Sequence, residues 1–228
     1  MAKRSAESNP KPKRGNRAGT LEISQIDSVA RRHLARRDPV LKRLIRLVGP
    51  CTLQHNPNCF AVLIRSIISQ QISSKAAAAI AGRVQQTLAP AGFVPEAILA
   101  RSIEDLRAAG LSASKVRSIL DLAERVQNQT LPLDHLHQLP DEEVIAHLVP
   151  VRGIGRWTAE MFLIFSLGRL DVLPVGDWGL RAAVQREYGL EEPPNKARLE
   201  ELAEPWRPYR SIATWYFWRS LGPVPQSQ

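Results

Sequence analysis

A few segments of this 228-residue chain combine residue types that could do chemistry: a glycine hairpin, an acid at the start of a helix, and tryptophans close to both. In Leu148-Val149-Pro150-Val151-Arg152-Gly153-Ile154-Gly155-Arg156-Trp157 two glycines flank one apolar residue. Glycine suits a turn that needs positive φ or an unobstructed backbone, and Ile154 can plug the core between two helices. Backbone N–H groups then face outward at a helix N-terminus, where the dipole favours phosphate. The segment reads either as a helix-hairpin-helix gripping a nucleic-acid backbone without reading bases, or as a structural turn. Asp177 follows Gly176 and opens an apparent helix. Aspartate is a favoured N-cap, and the same hydrogen bonds would hold its carboxylate ionised and fixed. Asp171 and Glu160 are the competing acids, Asp171 as a fixer of its loop and Glu160 as a first-turn carboxylate. Trp157, Trp178 and Trp218 offer electron-rich faces, and Met161 shares a helical face with Trp157. By spacing alone, such aromatic residues serve equally well as core.

Other chemistries are poorly supplied. Cys51 and Cys59 are the only cysteines, too few for a four-cysteine cluster and expected as free thiols. Five histidines include no HExxH pair, and His135-x-His137 sits in a Pro-rich connection where metal binding is not expected, so no cofactor is expected to be required. No apolar run reaches the ~20 residues of a membrane span. The composition is that of a globular protein, 44% hydrophobic and 23% charged, with a net charge of +9. Residues 1–19 hold six basic residues against Glu7 and no aromatic, which predicts a disordered basic tail that attracts polyanions. Residues 20–228 form the folded domain.

The elements that must position these residues are helices. Phe60, Leu63, Ile64, Ile67 and Ile68 follow helical spacing into the polar interruption Ser69-Gln70-Gln71-Ile72-Ser73. Helices are expected at 23–37, 40–48, 60–68, 75–88, 95–109, 114–126, 141–148, 156–167, 177–188, 195–203 and 208–221, with Pro-rich connections at 129–140 and 189–194. The fold class is all-α.

The motifs, taken together, resemble a known family. Gly153-Ile-Gly-Arg-Trp-Thr-Ala-Glu160, with Asp177 twenty residues after Trp157, is similar to the helix-hairpin-helix, Gly/Pro-rich, aspartate superfamily of DNA glycosylases, in particular its 3-methyladenine DNA glycosylase II branch. Ile67-Ile-Ser-Gln-Gln-Ile-Ser73, Gly110-Leu-Ser-Ala-Ser-Lys115 and Trp206-Arg-Pro-Tyr-Arg-Ser-Ile-Ala-Thr-Trp215 extend the likeness over roughly residues 40–221. The resemblance implies two interlocked helical subdomains around the hairpin (residues 148–159), with a DNA-binding cleft between them. It implies Asp177 as the catalytic aspartate, a base pocket of Trp157, Met161, Trp178 and Trp218, and DNA contacts from Gln70, Gln71, Arg152, Gly153, Gly155 and Arg156. Gln71 would stand at the wedge position that fills the gap left by a flipped base; the polar turn at 70–71 has a purely structural reading as well. A monovalent cation, Na+ or K+, would be held by the backbone carbonyls of Val149, Val151 and Ile154.

Two departures refine the expectation. Arg152 replaces the proline that many members carry before Gly-Ile-Gly, and Trp157 stands where lyase-competent members have lysine. Without that amine no Schiff base forms with the sugar, so a monofunctional hydrolase is expected, acting as a monomer on double-stranded DNA containing alkylated purines. A DNA-binding module without catalysis, or a glycosylase for uracil, hypoxanthine or oxidised bases, are the alternatives. The expected location is the cytoplasm, on the nucleoid, in a bacterium, or the nucleus in a eukaryote.

Overall fold

Side chains that accept backbone N–H groups punctuate the chain, and they set where its helices begin. The computed structural model describes residues 18–222. Residues 1–17 of the expected basic tail lie outside the described residues, while Ala18 and Gly19 open the first helix. The helices are α1 (Ala18–Arg37), α2 (Pro39–Val48), α3 (Cys59–Ser69), α4 (Ser74–Thr87), α5 (Pro95–Leu99), α6 (Ile103–Ala108), α7 (Ala113–Gln127), α8 (Asp141–Leu148), α9 (Arg156–Phe165), α10 (Trp178–Tyr188), α11 (Lys196–Ala203) and α12 (Arg210–Ser220). Among the described residues there is no strand, and no helix is long and apolar enough to cross a membrane. Asp38, Asn58, Ser73, Ser102, Ser112, Asp177 and Asn195 each cap the helix that follows.

Two expectations change. The single helix expected over 95–109 is two, because Ser102 accepts the Asp105 N–H at 3.1 Å and restarts the helix, which lets Ile98 and Leu106 both reach the core. The Pro-rich connection at 129–140 contains a short 3₁₀ turn, Leu133–Gln138, which buries Leu133 and Leu136.

The buried side chains fall into two cores. The first, from Phe60 to Val172, is built on α3 to α9, and α3 at its centre buries Phe60, Leu63, Ile64, Ile67 and Ile68. Full burial of each such side chain is worth about 1.5–3 kcal/mol. The second joins both ends of the described chain, packing Leu34, Leu41 and Leu44 of α1 and α2 against Leu180, Val184, Leu199, Trp206 and Phe217. The chain thus enters the first core late and leaves it early, which interlocks the subdomains. Val172 belongs to the first core and Leu173 to the second. Asp177 follows this crossing by a few residues. Trp218 extends from α12, whose buried residues fill the second core, to pack on the first. Cys51 and Cys59 are free.

Candidate active site

Asp177 is 8% exposed and stands at the seam between the two cores. As N-cap of α10 its Oδ1 accepts the Leu180 N–H at 2.6 Å. Two indoles complete its shell: Trp218 Nε1 donates to Oδ1 and Trp157 Nε1 to Oδ2, each at 2.8 Å. One carboxylate therefore ties α9, α10 and α12 together. Capping and fixing of the carboxylate are the same set of bonds, the two roles that the sequence reading held compatible.

Around the carboxylate the aromatic surface is open. Trp157 is 44% exposed and Trp178 66% exposed, with the Arg181 guanidinium 5.8 Å from the Trp178 ring centre. Trp218 is partly buried and lies nearly parallel to Phe165, ring centroids 6.0 Å apart. Met161 is buried in the first core and backs this surface. Gly179, not singled out from the sequence, also matters: a Cβ there would lie 3.3 Å from Asp177 Oδ1 and 3.7 Å from the Trp218 ring. A glycine in the first turn of a helix, where it costs stability, was the available signal.

The competing acids are committed elsewhere. Asp171 accepts from Arg207 at 2.8 Å and Arg210 at 2.7 Å, fixing the loop before α12. Glu160 is not in the first turn of its helix as expected; α9 begins at Arg156, so Glu160 falls in the second turn, where the helix turns inward. It is buried, and burial raises its pKa against the attraction of Arg156, whose Nε lies 3.1 Å away.

The hairpin joins α8 to α9. Ile154 is buried in the first core and its N–H donates to Val151 O at 3.0 Å. Gly153 has φ +76°, and a Cβ there would meet Ser118 Oγ at 2.6 Å. At Gly155, the cap of α9, the space is open. Two side chains hold this hairpin, and a third, Lys115 of α7, fixes the segment that carries Gln70. Asp121 accepts the Arg152 N–H at 2.7 Å, Gln70 Nε2 donates to Gly153 O at 2.8 Å, and Lys115 Nζ donates to Ile68 O at 2.6 Å and Gln70 O at 2.9 Å. Asp121 carried no signal in the sequence beyond surface charge, whereas Lys115 closes the Gly110–Lys115 motif of the resemblance. Of the expected DNA-contacting side chains, Arg152 and Gln71 are exposed and Gln71 has φ +59°, whereas Gln70 is bound to the hairpin. The Arg156 guanidinium pairs with Glu142 and Glu160, leaving its exposed position beside the Gly155 backbone.

A helix-hairpin-helix next to a capped aspartate at the seam of two helical cores defines a class of DNA repair protein. The chain belongs to it: residues 64–208 match the HhH-GPD superfamily of base excision DNA repair proteins. It is 36% identical over 212 residues to DNA-3-methyladenine glycosylase 1 of Schizosaccharomyces pombe, covering 88% of this chain and 93% of that one. Among solved structures, the DNA-3-methyladenine glycosidase of Bacillus halodurans superposes with a TM-score of 0.75 at 39% identity, covering 85% and 89% of the two chains. The S. pombe 3-methyladenine DNA glycosylase in complex with abasic DNA superposes with a TM-score of 0.76 at 35% identity, covering 87% and 99%.

Proposed function

We infer that this protein is a DNA glycosylase of base excision repair that hydrolyses the N-glycosidic bond of alkylated purines, of the 3-methyladenine type, and leaves an abasic site. The observation that carries the reading is the Asp177 carboxylate, held by three N–H donors beside the exposed faces of Trp157 and Trp178. Chemistry on a base in a duplex requires that base to leave the stack. The open backbone at Gly155 and the start of α9 would take up phosphates, and Arg152 would add a mobile cation. Gln71, exposed at the tip between α3 and α4, would fill the vacated space with its amide. The flipped purine would lie against the tryptophan faces, where a positively charged alkylpurine gains cation–π attraction. Asp177 would face the sugar, and its fixed negative charge would stabilise the oxocarbenium-like cation as the C1′–N bond breaks and water attacks.

An alkylated purine already carries the positive charge that makes it a good leaving group, so a single carboxylate suffices. Trp157 supplies no amine for a Schiff base, which makes the enzyme monofunctional and its product an intact abasic strand. No cofactor takes part in these steps. The carbonyls of Val149, Val151 and Ile154 are hard oxygen donors following the negative end of α8, and they would hold a Na+ or K+ ion that neutralises phosphate at the hairpin. The protein would act as a monomer, since the seam that holds the site lies within one chain.

The test is Asp177→Asn, assayed by single-turnover release of 3-methyladenine from methylated duplex DNA alongside thermal melting. Release falls by about 10²–10³-fold while the protein still folds and binds duplex. A folded variant that releases base at the wild-type rate would overturn the assignment.

A further inference from the structure

The positive charge of the chain sits at one end of the sequence. The first 50 residues hold 13 of the 31 Lys and Arg and four of the 22 Asp and Glu, a net +9 equal to that of the whole chain. The remaining residues carry 18 of each sign. The hairpin, Asp177 and the tryptophans therefore belong to an electrically neutral part of the molecule, which is unexpected for the part that grips a polyanion.

Six of these basic residues and one acid lie in residues 1–17; the other seven lie on α1 and α2, against three acids. Arg32, Arg36 and Arg37 of α1 and Lys42, Arg43 and Arg46 of α2 are exposed. The acids beneath them are covered. Asp38 is 5% exposed and its oxygens are occupied by N–H and O–H donors. The Glu187 side chain is largely covered, and it is shared by Arg43 and Arg186, each at 2.7 Å. Among the described residues, Arg36, Arg37, Lys42 and Arg46 make no ion pair. The face presented to solvent is positive without local compensation. It lies by the C-terminal end of α10, where Arg43 meets Glu187, whereas Asp177 caps the other end. Eleven helical residues, about 16 Å, separate the two.

We propose that the α1–α2 face is a second, sequence-independent duplex-binding surface, and that it adds electrostatic attraction to DNA beside that of the basic N-terminal segment while the hairpin and Asp177 act on the lesion. This rests on the glycosylase reading above for the identity of the polyanion. Guanidinium-rich helix surfaces suit phosphate, and each phosphate neutralised adds about 0.9 to the salt dependence of binding. A bilayer is a poorer occupant, because insertion needs a continuous free apolar helix face, whereas Leu41 and Leu44 of α2 are buried in the second core and Leu47 is the one exposed leucine of that helix.

The experiment measures binding to lesion-free duplex as a function of salt for the full chain and for R36Q/R37Q/K42Q/R46Q, which leaves the Arg43–Glu187 pair intact. The slope of log K against log[salt] falls by about two to four, the melting temperature holds, and single-turnover base release at saturating enzyme is unchanged. R36K/R37K/R46K keeps the wild-type slope. The half variants R36Q/R37Q and K42Q/R46Q each lose part of the slope, which keeps the question answerable should the quadruple variant fold poorly. An unchanged slope overturns the proposal. So does a loss of base release in proportion to the charges removed, which would make the face part of the catalytic footprint. Vesicles containing phosphatidylserine provide the remaining arm: vesicle binding lost in the variant with duplex binding intact would assign the face to a membrane. If wild-type protein releases no base at all, the glycosylase reading fails, yet the slopes still report on the surface.

Discussion

Two buried aspartates cap helices in this protein, and they resemble each other closely. Asp38 opens α2 and Asp177 opens α10, and each is followed three residues later by a fully buried leucine, Leu41 or Leu180. Both accept from backbone N–H groups and from an indole, Trp206 for Asp38 and Trp157 and Trp218 for Asp177. The same helix even links them, since Tyr188 at the end of α10 donates its hydroxyl to Asp38. The difference lies in what surrounds the donors. Trp206 is buried to completion inside one core, whereas Trp157 is half open at the seam between two. Two residues past the cap, Asp38 has Val40 where Asp177 has Gly179, and the missing side chain leaves the Asp177 carboxylate oxygen uncrowded. Similar capping chemistry is thus sealed at Asp38 and, through Trp157, open to solvent at Asp177, where the proposed function puts the reaction.

Exchanging the two perturbations gives the largest effects. Asp177→Asn keeps one oxygen for Leu180 and Trp218, and the exposed Trp157 N–H turns to water. Stability therefore drops little while base release falls by the factor given above. Asp38→Ala strands the buried Trp206 N–H and two cap amides, at a cost of about 3–5 kcal/mol. Its melting temperature falls by about 10 °C or more, and release measured below the transition stays at the wild-type rate. Melting curves paired with single-turnover assays check both. If folded Asp38→Ala also lost catalysis, the two caps would not be separable in function.

The donors sharpen the contrast. Trp206→Phe removes a buried N–H and leaves Asp38 short of a partner, costing about 1–3 kcal/mol. Trp157→Phe keeps an aromatic face but frees Asp177 Oδ2 to move, so melting shifts by less than about 1 kcal/mol while release slows. Equal losses of stability in the two variants would show that exposure does not distinguish the sites.

Most of the helices were legible in the sequence because α3 and its neighbours carry strict apolar spacing and Ser or Asp caps. The split between α5 and α6 was not, since Pro95–Ala109 reads as one helix until Ser102 is seen to take the Asp105 N–H. In the site, Asp177 and the hairpin stood out by residue type. The indole–carboxylate bonds did not, because Trp157, Asp177 and Trp218 lie far apart in sequence and meet only through the crossing of the two cores. For the same reason the contacts of Asp38 with Trp206 and Tyr188 could not be read from its place between two helices.

A subtler effect concerns space beside Asp177. Gly179→Ala gains helix propensity, about 1 kcal/mol, and brings a methyl to 3.3 Å from the carboxylate oxygen. The oxygen must yield by a few tenths of an ångström. Stability is held or slightly raised, and release falls several-fold through misplaced charge. Val40→Ala beside Asp38 touches stability alone. A Gly179→Ala enzyme with full activity would mean that the Trp218 contact tolerates displacement.

The smallest effect is a pH dependence, and it reports on the field around Asp177. Burial raises the pKa of Glu160, opposed by Arg156 and reinforced more weakly by the charge of Asp177. A carboxyl whose folded pKa lies above its unfolded value binds a proton more readily in the native state. Its contribution to stability is present below the unfolded pKa and is lost as pH rises through the folded one. Wild-type protein should therefore lose stability relative to Glu160→Gln as pH climbs from about 4.5, the ordinary glutamate value. Denaturant melts of both proteins at stepped pH read the difference. In an Asp177→Asn background the divergence narrows, because the neighbouring negative charge is gone. Asp38 lies outside the groups that act on Glu160, so Asp38→Asn leaves the Glu160 divergence as it was. A gap that ignores Asp177 would place Glu160 outside the field of the reaction centre, and its role would then be confined to holding Arg156 at the start of α9.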